Sequence, residues 1–563
     1  MKFKDFPYER PNLDEVKAQA DAILDNIGTG KSLDEEIAAI EEYWVIFDHV
    51  RTMGTLVSIR NSINTVDEFY EAEKLFFNQE MPKLQAYSKR FDEKLLSSPN
   101  RAGLEAKFGS LMFEQAELGL KVFDESIIPE LQQENALDTE YDKLLASAKI
   151  EFQGGVYNLS QMSPFAQSKD RDVRKAAAAA VSGFFASHEA TLDRIYDDLV
   201  KLRTTIATKL GYENFIQLGY DRMGRTDYGA KEVKTYRDQI LQDIVPLVSE
   251  LTARKAKRLG IEEPFHYDLA LSFLNGNATP KGDVAWQVDK AKTMYQEMSP
   301  ETNEWFSMML DKELMDLESK QGKAGGGYCT SLPDYKVPFI FANFNGTSHD
   351  VDVLTHEAGH ALQGFLSKDH IPPYRWPTME SAEIHSMSME FLAWPWMEQF
   401  FQEDTAKYKF NHLASSISFL PYGVLVDEFQ HEVYGNPTLT PDERKSLWRR
   451  LEKKYLPFKD YGDDEFLERG GFWFRQGHIF GVPFYYIDYT LAQVCAFQYW
   501  VKHQADPKAA MQSYLELCRL GGSKSFTGLL ASADLKNPFE QGTVAKIVTP
   551  IRAYLDSVDD LAL

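Results

Sequence analysis

Two histidines stand four residues apart in 351-VDVLTHEAGHALQGF-365, with a glutamate directly after the first. On an α-helix His356 and His360 leave one face one turn apart, so both imidazoles can reach a single divalent ion. Glu357 is rotated from His356 by about 100°. That places it beside such an ion, where a carboxylate can take a proton from water. Val353, Leu354, Ala361, Leu362 and Phe365 supply apolar anchoring for the same helix. A metal site that keeps a position open for water uses three protein ligands, so the motif needs one more.

The pattern HExxHxxGxxH does not supply it, because Gln363 and Leu366 occupy the required positions. A glutamate on a following helix is the other common solution. Residues 379–398 read as that helix, after the Pro-rich loop 371–377, and offer Glu380, Glu383, His385 and Glu390. Glu383 and Glu390 are seven apart and share a face. One can bind an ion while the other hydrogen-bonds a ligand from behind. His385 points about 160° away from Glu383, so the two cannot ligate together, and His385 is expected to be a packing residue. Asp352, one turn before His356, is either a supporting acid or a surface acid.

A second run, residues 469–493, places His478 ahead of Tyr485, Tyr486 and Tyr489. Neutral N–H and O–H donors lower the barrier to a tetrahedral oxyanion. Tyr486 and Tyr489, at i and i+3, share a helix face. The competing reading is an aromatic core stripe.

Together these spacings resemble the M3 family of zinc oligopeptidases: His356-Glu357-x-x-His360, a glutamate 23 residues after the second histidine, and another seven later. The resemblance implies one zinc ion per chain, held by His356, His360 and Glu383, with Glu357 as general base and Glu390 as the family's second glutamate. His478 with Pro483-Phe484-Tyr485 matches the H-x-x-x-x-P-F-Y run of members similar to oligoendopeptidase F and the Pz-peptidases. Residues 169–181, 325–329, 338–344 and 519–525 resemble the same members. The tyrosines fall seven, eight and eleven residues after His478, one short of the thimet-type spacing. Matching the pair three apart implies Tyr486 and Tyr489 as oxyanion donors, Tyr489 before Tyr486. The implied activity is a zinc metalloendopeptidase that cuts internal bonds of short, unfolded oligopeptides. The implied fold is mainly α, an ellipsoidal two-lobed helical shell around a deep channel, with a small β-sheet beside the zinc helix. A helical N-terminal region over 1–190 and a zincin catalytic region over 191–563 are expected. A dipeptidyl carboxypeptidase or metallocarboxypeptidase on the same scaffold is the alternative. It needs a cation for the terminal carboxylate, and Arg469, Arg475 and Lys323 are available. A helical scaffold protein with a vestigial site is a third reading, which metal analysis separates from the other two.

The elements that must position these residues are mostly helices. Residues 13–27, 34–53, 66–87, 171–200 and 230–260 carry apolar residues at spacings of three and four. One strand is expected at 337–344, after the Gly-rich loop 321–336 and before the turn pair Asn345-Gly346. Beside the motif helix it could pair with an extended peptide. Ser348 or Asp350 is the expected N-cap of that helix. The chain has 563 residues, 44% of them hydrophobic, enough for a substantial core, and a net charge of −24. That charge argues against nucleic acid or an anionic membrane as partner. Three scattered cysteines, an N-terminus without an apolar signal core and no membrane-length apolar run predict a soluble cytoplasmic protein. His349, His370 and His431 are assigned no role, and oligomeric state is not readable from the sequence.

Overall fold

The computed structural model describes residues 1–563. Helix accounts for 70% of the chain and strand for 4%, as the prevalence of helical over alternating spacing requires.

The helices expected at 34–53 and 66–87 run on to Ile63 and Leu96, and three others are interrupted or cut short for a local reason. Residues 171–200 form parts of two helices, Arg171–Ser187 and Glu189–Lys209, parted at His188, whose Nδ1 turns back onto the Phe184 carbonyl at 2.8 Å. Residues 230–260 are interrupted by a π-helical turn, Ile240–Ile244, between Ala230–Gln239 and Val245–Arg258. Pro246 has no N–H and crowds the carbonyl four residues earlier, which the wider turn relieves. The helix expected over 379–398 stops at Leu392, and a tight turn, Trp394–Trp396, follows around Pro395.

Strands Met315–Glu318, Tyr328–Leu332 and Val337–Phe344 make one sheet. Val337–Phe344 is its middle strand, parallel to the first and antiparallel to the second. This corrects the expectation that residues 337–344 offer an edge to a peptide. Both edges of that strand are already paired, and Val337 through Ala342 are buried. The outer edge belongs to the half-exposed strand Tyr328–Leu332, which pairs inward only.

The motif helix, His349–Leu366, follows the turn at Gly346 (φ +87°). Ser348 makes no capping hydrogen bond. Asp350, already inside the first turn, instead accepts the backbone N–H groups of Asn345 and Gly346, both at 2.8 Å. That contact fastens the start of the helix to the end of the middle strand.

Three more helices complete the frame: Met379–Leu392, Thr405–Gly435 and Tyr486–Ala505. Met379–Leu392 is buried on every side from Glu380 to Leu392, the state of a helix with protein all around it. It packs against the motif helix on one side and Tyr486–Ala505 on the other. A Cβ at Gly359 would sit 2.3 Å from the His385 carbonyl oxygen. The two backbones touch there, and no side chain fits between them. The glycine inside the histidine motif is therefore a packing requirement. It lets the second helix cross close enough to bring Glu383 against both histidines.

The Pro-rich loop between these helices is held from two directions. Tyr374 Oη accepts the Met112 N–H at 2.9 Å, and its carbonyl accepts the Gly522 N–H at 2.8 Å. No helix is long and apolar enough to cross a membrane.

Candidate metal centre and active site

The helix crossing gathers three side chains. Glu383 Oε2 lies 3.2 Å from both His356 Nε2 and His360 Nε2. Ligand atoms of the three residues all fall within 4.8 Å of one another. The imidazole rings stand 5.2 Å apart and nearly perpendicular, at 83°. Two imidazole nitrogens and one carboxylate oxygen converging on a point are a donor set suited to zinc, and three ligands leave a position open. Burial alone would raise the Glu383 carboxyl, but the two imidazoles hold it well below its usual range, so it is ionised.

Two of the three ligands are held from behind, whereas His360 Nδ1 has no hydrogen-bond partner. His356 Nδ1 donates to Glu390 Oε1 at 2.8 Å. The other Glu390 oxygen meets His412 Nε2 at 2.9 Å, and His412 Nδ1 accepts the indole N–H of Trp394 at 2.9 Å. An indole nitrogen can only donate. His412 Nδ1 must therefore be bare and its proton must sit on Nε2, facing Glu390. Glu390 thus accepts from both sides, and His356, held through Nδ1, presents Nε2 to the centre. Glu383 is held in turn by the Ser386 hydroxyl at 2.7 Å on Oε2 and by the Tyr485 hydroxyl on Oε1.

Glu357 is buried and its Oε2 has no hydrogen-bond partner. Burial pushes its carboxyl up, against the pull of the two histidines. The start of the outer strand lies over it: a Cβ on Gly327 would be 3.3 Å from Glu357 Oε1. A basic carboxylate with a free oxygen beside a three-ligand centre is placed to accept a proton.

His478 and Tyr489 form a second pair near the ligands. His478 Nε2 is 3.1 Å from Tyr489 Oη, and its Nδ1 accepts the Gln476 side-chain N–H at 2.8 Å. Gln476 is oriented by the Tyr422 hydroxyl, which donates to Oε1 at 2.9 Å. The His478 proton therefore resides on Nε2. Burial lowers this histidine to about 4, so it is a neutral donor at physiological pH. The Tyr489 ring lies 6.5 Å from the His356 ring. The Tyr486 ring stands edge-on to His478 at 5.0 Å, Phe419 at 5.7 Å and Tyr422 at 5.8 Å, but only the Tyr489 hydroxyl hydrogen-bonds His478.

The turn before these tyrosines is strained. Phe484 has φ +66°, rare for a side chain of that size. Its N–H donates to Gln430 Oε1 at 2.9 Å and its carbonyl accepts from Arg225 at 2.6 Å. These two contacts hold a conformation that costs about 1–3 kcal/mol and swing Tyr485 back toward Glu383.

Of the remaining candidates, Asp352 accepts the Tyr408 hydroxyl at 2.7 Å and does not touch a histidine ligand. His385 packs against Cys518 and is pushed down to about 3 by burial, a packing histidine as expected. Arg469 pairs with Glu189 and Lys323 with Asp316. Arg475 has no ion-pair partner. Sequence reasoning gave no role to Tyr485, Ser386, Gln476, His412 or Trp394. Tyr485 and Ser386 sit inside runs already singled out, whereas His412 carries no local signal.

An HExxH helix crossed by a buried glutamate helix in a mainly helical chain defines a metallopeptidase of the oligopeptidase type. The peptidase M3 N-terminal domain matches residues 3–123 and peptidase family M3 matches residues 165–549. The chain belongs to peptidase family M3. It is 23% identical over 427 residues to oligopeptidase PepF of Bacillus subtilis (strain 168), covering 71% of this chain and 59% of that one. It thus spans less than two thirds of that relative's length. It is 22% identical over 487 residues to the plasmid oligoendopeptidase F of Lactococcus lactis subsp. cremoris, covering 83% and 76%. A Pz peptidase A solved with an inhibitor is 51% identical, with TM-score 0.99 over 100% of both chains.

Proposed function

We propose that this M3 peptidase is a zinc-dependent endopeptidase acting on short, unfolded oligopeptides. The observation that carries the reading is the convergence of His356, His360 and Glu383, with Glu357 unpaired and a hydrogen-bonded His478–Tyr489 pair close by. A single zinc ion held by those three ligands supplies Lewis acidity, acidifying water and polarising a carbonyl.

The chain's own groups do the rest. Glu357 takes the proton of the attacking water and returns it to the leaving amine. His478 Nε2–H and the Tyr489 hydroxyl donate to the oxygen that gains charge as the carbonyl becomes tetrahedral. Burial and the nearby Glu383 hold the Tyr489 hydroxyl well above its ordinary range, so it keeps its proton. Glu390 and Tyr485 orient the ligands. A peptide laid as a fourth strand along the outer edge of Tyr328–Leu332 would pass over Glu357, with main-chain hydrogen bonds holding it irrespective of sequence.

Hydrolysis of a peptide of about ten residues by zinc-loaded protein, with products mapped by mass spectrometry, tests this. Cleavage at internal bonds that persists when the C-terminus is blocked is expected. Loss of all cleavage on blocking would favour the carboxypeptidase alternative. A protein that binds no zinc would remove the reading altogether.

A further inference from the structure

Beyond the Tyr486 ring lies a cavity of about 560 Å3. Its wall includes Tyr422 and Gln476, the pair that orients His478, so it begins next to the proposed oxyanion donor. Five cations line it, Arg254, Lys255, Arg258, Lys459 and Arg475, and no carboxylate does. In a chain whose 85 acids outnumber 61 bases, this runs against the composition.

Three of the five are neutralised from behind, Arg254 and Arg258 by Asp560 and Lys459 by Glu452 at 3.0 Å. The other two are not. Lys255 Nζ has the Leu269 carbonyl at 2.9 Å and no acid. Arg475 has an unpartnered Nε and stacks 4.1 Å over the Phe472 ring. Charges taken out of water are ordinarily paired, because desolvation penalises the ion. Here burial, with no acid beside it, brings Lys255 down to about 8.

We propose that this cavity is a carboxylate subsite for the peptide substrate, in which Arg475 and Lys255 pair with an anionic group on the chain being cut. This rests on the peptidase reading and names a feature of its substrates. From the His478 ring the path runs through Tyr486 (5.0 Å), Tyr422 (5.8 Å) and Phe472 (6.1 Å) to the guanidinium of Arg475 (4.1 Å). Those steps set an upper bound on the separation, which an extended peptide spans in at most about six residues, at about 3.5 Å each. The anion therefore lies within a few residues of the scissile bond. It is either the free α-carboxylate of a short peptide or an Asp or Glu side chain, since a guanidinium fork takes both alike. The Phe410, Phe419 and Phe458 rings give its aliphatic stem an apolar wall.

The test uses zinc-loaded protein and one peptide of about ten residues in four forms: free or amidated C-terminus, with or without an acidic residue within six positions of the cut. Removing the carboxylate that reaches the cavity is expected to raise KM about tenfold or more, as for a lost charge-assisted hydrogen bond, with kcat unchanged. In Arg475→Gln and Lys255→Gln that difference should shrink to less than about twofold. An effect of amidation assigns the terminal carboxylate, and an effect of the side-chain change assigns the acidic residue. Equal KM values for all four forms on the unsubstituted protein overturn the subsite and leave the peptidase reading standing. No cleavage of any form overturns the peptidase reading, and the subsite falls with it. The comparison among peptides needs no variant, so a substitution that fails to fold does not blunt it.

Discussion

Glu390 accepts the Nδ1 proton of His356 at 2.8 Å and, through its other oxygen, meets His412 at 2.9 Å. One carboxylate thus ties a candidate ligand to a histidine on a different helix. Burial would raise Glu390, but these two hydrogen bonds bring it to about 2, so it stays charged across the working range. Glu390→Gln and His412→Phe should each weaken zinc binding about 10- to 100-fold, as losses behind a ligand do. Competition against a chromogenic chelator measures this without relying on turnover. Unchanged affinity in both variants would mean that the ligand orients itself.

Glu357 is buried beside the three ligands but contributes no atom to their convergence. Glu357→Gln should therefore abolish peptide cleavage while the protein retains about one zinc per chain. Metal analysis and product mapping on the same preparation check both halves. Residual turnover near the parent rate would assign the proton transfer to another group.

The three neighbouring tyrosines should separate by readout. Tyr489→Phe is expected to lower kcat about 10²- to 10³-fold with little change in KM, the signature of one lost oxyanion donor. Tyr486→Phe should leave kcat within a few-fold of the parent, because only the Tyr489 hydroxyl hydrogen-bonds His478. Tyr485→Phe should act on zinc affinity instead, through the Glu383 oxygen it binds. A large kcat loss in Tyr486→Phe would reverse the assignment of roles.

Much of this centre was legible because its parts obey helical arithmetic. His356 and His360 at i and i+4, and Glu383 and Glu390 two turns apart, project as a rigid helix dictates. The M3 likeness tied those faces together, and the family match over residues 165–549 agrees with it. What stayed hidden depends on contacts between elements. His412 lies on the helix Thr405–Gly435, and only the fold brings it to Glu390. The choice between Tyr486 and Tyr489 turns on which hydroxyl meets His478, which spacing does not encode. Strand order was hidden for the same reason. A short apolar run such as 337–344 looks alike at the centre or the edge of a sheet.

Gly359 offers a test of the helix crossing itself. A methyl group there would meet the His385 carbonyl at 2.3 Å, and neither backbone can yield without moving Glu383 away from the histidines. Gly359→Ala should lower the melting temperature by the equivalent of about 1–3 kcal/mol, the range for overpacking a close contact. It should also weaken zinc binding, whereas the same change at exposed Gly183, where a Cβ meets nothing within 4 Å, should do neither. A Gly359→Ala protein with parent stability and parent affinity would show that the crossing has slack.

Zinc stabilisation should depend on pH with a definite sign. Burial lowers His356, but its hydrogen bonds to Glu383 and Glu390 outweigh that and raise it well above the usual histidine range. In metal-free protein the charged histidine contributes stability that is complete below the unfolded value of about 6.5 and is lost as pH rises through the higher folded value. A metal ion must displace the same proton, so its binding tightens as pH rises. Both effects act in one direction. The gap in melting temperature between zinc-loaded and chelator-treated protein should widen from pH 6 to pH 8.5. Replacing His356 by Gln should flatten that dependence and collapse the gap. A gap that narrows toward high pH in the parent would exclude His356 as the residue where proton and metal compete.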